Sequence, residues 1–255
     1  MIQRLSDPAR AAELFAGWQE TIVWSALEGV MGTVYAVDDA SAMVRSGDFA
    51  FFAGIPNMEL AALLLGTAFV IAVPQSEAWA RLLERVHGEH ARRGMRYAVK
   101  KEPGVFDLRK LESMAAALPE GVTLHPIGEE LYERCQTEAW SRDWVSQYPS
   151  FAMYQRLGLG VAALEGGEIV AGASSYCTYR GGIEIQIDTR EDHRRRGLAA
   201  ACGAALILEC ARRGLYPSWD AQNAASVALA EKLGYHFSHV YPVYEIFYPQ
   251  EEAKP

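Results

Sequence analysis

Three consecutive arginines, Arg194, Arg195 and Arg196, stand directly before Gly197 and the small-residue run Leu198-Ala199-Ala200 in the segment EIQIDTREDHRRRGLAAACGAALILECARRG (184–214). A strand that runs into such a loop and then into a helix makes an anion site. The first helical amides have no partner inside the helix and sit at the positive end of its dipole. Gly197 lets the backbone approach a ligand closely, the arginines add charge, and a pyrophosphate matches the arrangement. Taken alone, the RRRG run is better described as a solvated charged loop before an ordinary helix. Upstream, Glu184, Gln186 and Asp188 share one strand face, because side chains alternate with a period of two. A carboxylate on that face can take a proton from a reacting group.

With a strand before it and a helix after it, Arg194-x-x-Gly197-x-Ala199 resembles the Q/R-x-x-G-x-G/A loop of the GNAT superfamily of acyl-CoA N-acyltransferases. Further on, WDAQNAASVALAEKLGYHF (219–237) is similar to the second signature of that family, N-x-x-S/A followed by a helix ending L-G-F/Y, here Asn223, Ser226, Leu233, Gly234 and Tyr235. The resemblance runs from Val122 to Tyr248, and EIQIDT with PSWDAQN also resembles the branch containing zwittermicin-resistance acetyltransferases.

The resemblance implies two strands that part into a V-shaped cleft holding acetyl-CoA. The pantetheine amides would pair with the backbone of Ile187, Asp188 and Thr189. The pyrophosphate would lie on the amides of Arg195, Arg196, Gly197, Leu198, Ala199 and Ala200, with Arg194 adding charge. Asn223 and Ser226 would face the cofactor arm, although a plain helix N-cap and a helix-face hydroxyl also account for them. The implied reaction is direct attack of an amine on the thioester through a tetrahedral intermediate. A free amine, with a pKa of about 10, must first lose a proton. Glu184 is the candidate base, with Gln186 beside it, and Asp188 and Glu191 are the alternatives. A backbone N–H near Ile187 would polarise the thioester carbonyl.

One departure from the family concerns the tyrosine that many members place four residues after the motif serine to protonate the leaving thiolate. Ala230 stands there, and Tyr235 reads as core. A thiolate with a pKa of about 8.5 can leave unaided. Trp140, Trp144, Tyr148 and Tyr154 fall where the family binds its acceptor. Set among polar neighbours, they suit a pocket of apolar walls with a few polar groups, and a buried aromatic stripe is the other reading.

These residues need a frame, and the chain is long enough to supply one. Its 255 residues are 50% hydrophobic and 22% charged, the composition of a folded protein with a sizeable core. The net charge of −8 argues against nucleic acid as a partner and suits a small cationic amine acceptor. Cys135, Cys177, Cys202 and Cys210 form no CxxC pair, so neither a disulfide scaffold nor a metal site is expected. The opening MIQRLSDPAR lacks the apolar stretch of a secretory signal, and the apolar run 60–73 is too short to span a membrane. A cytoplasmic protein with no membrane partner is expected, as a monomer or a homodimer.

The pattern predicts an amphipathic helix from the Ser6-Asp7-Pro8 start signal through Val23, strands at 32–37, 48–54, 68–73 and 96–101, and helices over 79–91 and 108–118. From Val122 it predicts a strand, a helix over 129–138, and a meander of three strands turning at Gly166-Gly167 and Gly181-Gly182. A helix over 197–213, a short strand LYPSWDA, a helix over 224–233 and a closing pair of strands follow. The class is α+β, a GNAT-like, mainly antiparallel sheet flanked by helices. The resemblance implies that residues 1–120 are a degenerate, structural GNAT-like half and 121–255 the acetyltransferase domain. A rival reading of the whole is a non-catalytic acyl-CoA-binding sensor or interaction module.

Overall fold

Tight glycine turns give the topology its hairpins. Gly166 and Gly167, both at positive φ (58° and 86°), reverse the chain in a conformation that residues with a Cβ seldom adopt. The computed structural model describes residues 1–249. These divide into one unit of Met1–Arg96 with the described residues from Val240 onward, and a second of Tyr97–His239. The fold is mixed α+β, with antiparallel-dominated sheets flanked by helices, as the pattern predicts.

The first unit contains β1 (Gln3–Arg4), α1 (Thr21–Leu27), β2 (Thr33–Asp38), β3 (Ser41–Ser46) and β4 (Phe49–Gly54). It continues with α2 (Met58–Ala62), β5 (Phe69–Pro74), α3 (Glu77–His87) and the start of β6 (Ala91–Val99). Its sheet runs in the order β1-β2-β3-β4-β5-β13, where β13 (Phe237–Phe247) arrives from the far end of the chain. Neighbours are antiparallel except β4 and β5, which α2 connects as a parallel crossover. Phe52, Leu60, Val70, Trp79, Tyr244 and Ile246 pack its core.

Three expectations change here. The single opening helix is broken: a short 3-10 turn at Pro8–Ala11 and then α1, with Gly17 at φ 86° between them. Both β3 and α2 were unanticipated, since SAMVRS alternates poorly and α2 is a fragment of a longer apolar run. The expected closing pair of strands is one long strand, β13.

The second unit contains the end of β6, α4 (Leu108–Ala116), β7 (Val122–Pro126), α5 (Glu129–Thr137), α6 (Phe151–Leu157) and β8 (Gly160–Glu165). Then come β9 (Glu168–Tyr179), β10 (Gly182–Thr189), α7 (Leu198–Arg213), β11 (Tyr216–Ser218), β12 (Asp220–Ala221) and α8 (Ala224–Leu233). The sheet order is β11-β10-β9-β8-β7, with β7 to β10 antiparallel and β11 parallel to β10. Ile183 and Ile185 point from β10 into a core shared with Leu198, Cys202, Leu206 and Leu233. The expected strand LYPSWDA is two strands, because the chain changes neighbours at Trp219.

The units divide elsewhere than at residue 120. Leu111 of α4 is fully buried in the second unit's core, while Tyr244 and Ile246 of β13 are fully buried in the first. Burial, not chain order, assigns them. A three-strand meander, a helix, a parallel strand and a second helix occur in each half, as β2-β3-β4, α2, β5, α3 and as β8-β9-β10, α7, β11, α8.

Candidate active site

β10 and β11 pair at only three positions, Gly182 with Tyr216, Ile183 with Pro217 and Glu184 with Ser218. β10 then continues to Thr189 against β9 alone, while the chain beyond Ser218 turns at Trp219 to pair Asp220 and Ala221 with Ala98 and Tyr97. The Tyr235 hydroxyl, donating to the Pro217 carbonyl at 2.7 Å, fixes β11 up to the parting point. Among the described residues, Ile185–Thr189 therefore present one strand edge with no strand beside it. On such an edge alternate residues direct N–H and C=O outward, a ready partner for an extended amide-bearing chain. Ile187, Asp188 and Thr189 all lie on it.

That edge leads into the arginine loop. Arg195 has φ 64° and Gly197 φ 85°, left-handed conformations that turn the chain tightly before α7. No side chain caps the start of α7, its first turn carries no acidic residue, and a Cβ built on Gly197 meets nothing within 4 Å. The first main-chain bond of the helix is Ala201 N–H to the Gly197 carbonyl. The amides of Leu198, Ala199 and Ala200 thus precede the helical ladder, next to the open position of Gly197. Gly203 brings α7 close behind the edge: a Cβ there would lie 2.9 Å from Ile187 Cδ1 and 2.8 Å from Leu233 Cδ1.

The arginines divide in role. Arg194 and Arg195 are exposed. Arg196, expected at the phosphate, instead donates from both terminal nitrogens to the Glu165 carboxylate at 2.9 and 2.6 Å. Asn223 caps α8, its Oδ1 accepting from Ser226 N–H at 3.0 Å, which is the plain N-cap arrangement. The Ser226 residue is half-buried. Ala230 is packed in the core, so no group reaches the cleft from that position.

On the face of β10 away from Ile183 and Ile185 stand Glu184, Gln186 and Asp188. Glu184 is buried, at the last paired position before the strands part, opposite Cys177 and Ser218. Beside it the Tyr179 hydroxyl shares a 2.9 Å hydrogen bond with Ser218 Oγ, and burial pushes the Tyr179 phenol well up. Gln186 turns toward Asp188, donating to its Oδ2 at 3.0 Å, and the Trp144 indole donates to the same oxygen at 2.9 Å. Burial raises the Asp188 carboxyl above its ordinary range, opposed by those two hydrogen bonds. The side chain of Asp188 is thus committed within the protein, and its backbone is what it offers the edge.

Of the four aromatics expected to wall an acceptor pocket, three are packed. Trp144 is fully buried over Gly172, where a Cβ would come within 2.5 Å of the indole. Tyr148 shares hydrogen bonds with Ser175 and Thr178, Tyr154 with Ser174, and both are buried. Trp140 is half-buried, edge-on to Trp144, and donates to Glu138 at 2.6 Å. The segment builds the floor beneath β9 and β10. Glu165, 31 positions before Arg196, escaped sequence reasoning altogether because no local pattern links the two. Gly172 carried a usable signal, since a glycine inside a strand marks a close approach.

The equivalent place in the first unit is closed. β4 pairs with β5 from Phe49 to Phe52, and Gln75 extends the pairing by donating its N–H to the Phe52 carbonyl. The Gln75 side-chain carbonyl and the Trp79 indole then bond the Gly54 backbone. The helix that follows β4 is capped by Asn57, whose Oδ1 accepts from Glu59 and Leu60 N–H, with Glu59 in its first turn.

A model of the GNAT acetyltransferase family matches residues 12–244, so the match extends over the front half, which carries no signature motif. The chain is 28% identical over 172 residues to an uncharacterised N-acetyltransferase, YdfB, of Bacillus subtilis (strain 168), a match spanning 66% of this chain and 63% of that relative. It is 46% identical to a GCN5-related N-acetyltransferase-like protein from Streptococcus suis 89/1591, covering 94% of this chain and 98% of that one with a TM-score of 0.90. A GCN5-related N-acetyltransferase from Sphaerobacter thermophilus shares the fold at 18% identity and a TM-score of 0.56, covering 98% of this chain and 96% of that one.

Proposed function

We propose a reaction from one premise: this chain belongs to the GNAT acetyltransferase family. The reaction is transfer of an acetyl group from acetyl-CoA to a primary amine of a small molecule. The observation that carries it is the parting of β10 from β11 at Glu184, on the strand that leads into an uncapped helix start.

The residues present fit acyl-CoA. The free edge of Ile185–Thr189 suits the amides of a pantetheine arm, and the open space at Gly197 with the amides of Leu198, Ala199 and Ala200 suits a pyrophosphate. Arg194 and Arg195 add charge at the mouth. Acetyl-CoA supplies the acetyl group already activated as a thioester.

The protein's own residues do the rest. Glu184 takes the proton of the incoming ammonium, directly or through water, from a buried position where a carboxylate is an effective base. A backbone N–H of the free edge near Ile187 donates to the carbonyl that gains negative charge. Gln186 and Trp144 hold Asp188, and so keep the edge in place. The acidic chain favours a cationic acceptor such as a polyamine or an aminoglycoside.

Ala230, buried where many relatives carry a catalytic tyrosine, favours a second reading, a non-catalytic acyl-CoA-binding module. Measuring CoA release from acetyl-CoA across a panel of polyamines, aminoglycosides and amino sugars, beside calorimetric titration with CoA, decides between them. Turnover with an amine supports the enzyme. Tight CoA binding with no turnover on any amine supports the module, and absence of CoA binding overturns both.

A further inference from the structure

The loop that carries the phosphate-facing amides contains a residue, Arg195, in the left-handed region at φ 64°. Residues other than glycine, asparagine and aspartate seldom hold that conformation unless their surroundings impose it. The surroundings here are a chain of hydrogen-bonded polar side chains. Arg196 donates to both oxygens of Glu165, and His193 Nε2 lies 2.9 Å from Glu165 Oε2. On the other side of the imidazole, Asp192 Oδ1 lies 2.6 Å from His193 Nδ1 and accepts from Arg190 Nε at 2.9 Å. The loop is thus gripped on either flank of Arg194 and Arg195.

Glu165 is a stiff anchor. It ends β8, paired with Glu168 across the Gly166-Gly167 turn and with Val122 on β7, so its backbone is fixed from both sides. Its carboxyl is held well below the usual range, to about 2, chiefly by the Arg196 hydrogen bonds and further by His193, and it stays charged across any working pH. Both terminal nitrogens of Arg196 are occupied by it, so Arg196 shapes the backbone between Arg195 and Gly197 and leaves ligand contact to the amides.

We propose that Glu165 is a positioning residue for the cofactor loop: by bracing Arg196 and His193 it sets the amides that receive the pyrophosphate. The proposal rests on the acyl-CoA reading above. It assigns to Glu165, at the β8–β9 turn, control over the affinity for one part of the donor, the diphosphate.

The test compares Glu165→Gln, Arg196→Gln and the double variant, using acetyl-CoA and S-acetylpantetheine, which shares the thioester and lacks the pyrophosphate. Glu165→Gln is expected to weaken CoA binding in calorimetry by about tenfold, or 1.4 kcal/mol, and to raise KM for acetyl-CoA to match. Its kcat at saturating acetyl-CoA should stay within about twofold, and KM for S-acetylpantetheine should not move, the mark of lost ground-state binding. Because Arg196 acts through Glu165, the double variant should bind CoA no worse than Glu165→Gln alone, within about twofold. If Glu165→Gln fails to fold, Glu165→Asp, which shortens the reach, is expected to show the same donor-selective loss in smaller measure. Unchanged CoA affinity, an equal loss with both donors, or additive losses in the double variant would overturn the proposal. Wild-type protein that binds no CoA would overturn the acyl-CoA reading itself.

Discussion

Both ends of α7 carry a left-handed glycine with open space around it, and this pair isolates what Gly197 does for a ligand. At Gly197 (φ 85°) and at Gly214 (φ 68°), a built Cβ meets nothing within 4 Å. The Cβ of a valine at either position meets no neighbour, and both variants carry the same left-handed strain, at least about 1–2 kcal/mol. For a chain of this size that lowers the unfolding midpoint by about 2–8 °C. The two variants should be alike in stability. They should differ in CoA binding, because only the Gly197 side chain would occupy the space before the amides of Leu198, Ala199 and Ala200. Losing two amide-to-phosphate hydrogen bonds, at about 1.5–3 kcal/mol each for a charged partner, amounts to about 3–6 kcal/mol, or 10²- to 10⁴-fold in affinity. Calorimetric titration of wild type, Gly197→Val and Gly214→Val with CoA reads this directly. Equal affinities in the two variants, or a Gly197→Val loss below about threefold, would refute the assignment of the phosphate to this helix start.

Glu184→Gln keeps the shape and removes the base: turnover should fall about 10²- to 10⁴-fold with acetyl-CoA binding near wild type, and a loss below about threefold in steady-state assays would pass the role to Asp188, Glu191 or solvent. Asp188 has a carboxyl raised by burial, so its contribution to stability is present below its unfolded pKa and is lost as pH rises through the raised folded value. Urea unfolding across the acid range should accordingly show Asp188→Asn gaining on wild type as pH climbs from about 4, and parallel pH profiles would contradict this. CoA titration should return one site per chain, because the first unit's counterpart of the cleft is zipped by β4 and β5 and its helix start is filled by Asn57; a stoichiometry of two would show the front half to be a working cofactor domain.

The segment proposed to hold the cofactor was the most legible part, because it is written in contiguous sequence. Strand, arginine loop, Gly197 and an alanine-rich helix follow one another, and the structure has these elements in that order. Asn223, Gly214 and Gly234 were legible for the same reason, since caps act within four residues of themselves. What escaped was decided at a distance. Arg196 read as a phosphate ligand until Glu165, far back along the chain, claimed it. The aromatic stretch read as a pocket because its polar neighbours suggested water, whereas Ser174 and Ser175 on β9 satisfy the Tyr154 and Tyr148 hydroxyls and let the rings go under. Nothing near LYPSWDA announces that Trp219 divides it between two neighbours, yet that change of partner opens the cleft.

A ribosome delivers the front half of this chain long before the strand that finishes it. Within the first unit β5 has β4 on one side and β13 on the other, so Phe69 pairs with Phe247 and Ile71 with Glu245. Until Val240 and its successors emerge, β5 is an open edge of its sheet, flanked by the apolar slot that Tyr244 and Ile246 will fill. Domains usually fold as they leave the ribosome, the N-terminal one first. This one must wait until β13 has emerged, exposing a β-rich edge in the meantime that invites pairing with another nascent chain. Expression level, chaperone supply and the pace of synthesis should thus govern yield more than the stability of the finished protein. Replacing the residues of β13 that pair with β5 would deprive the first unit of a strand of its sheet.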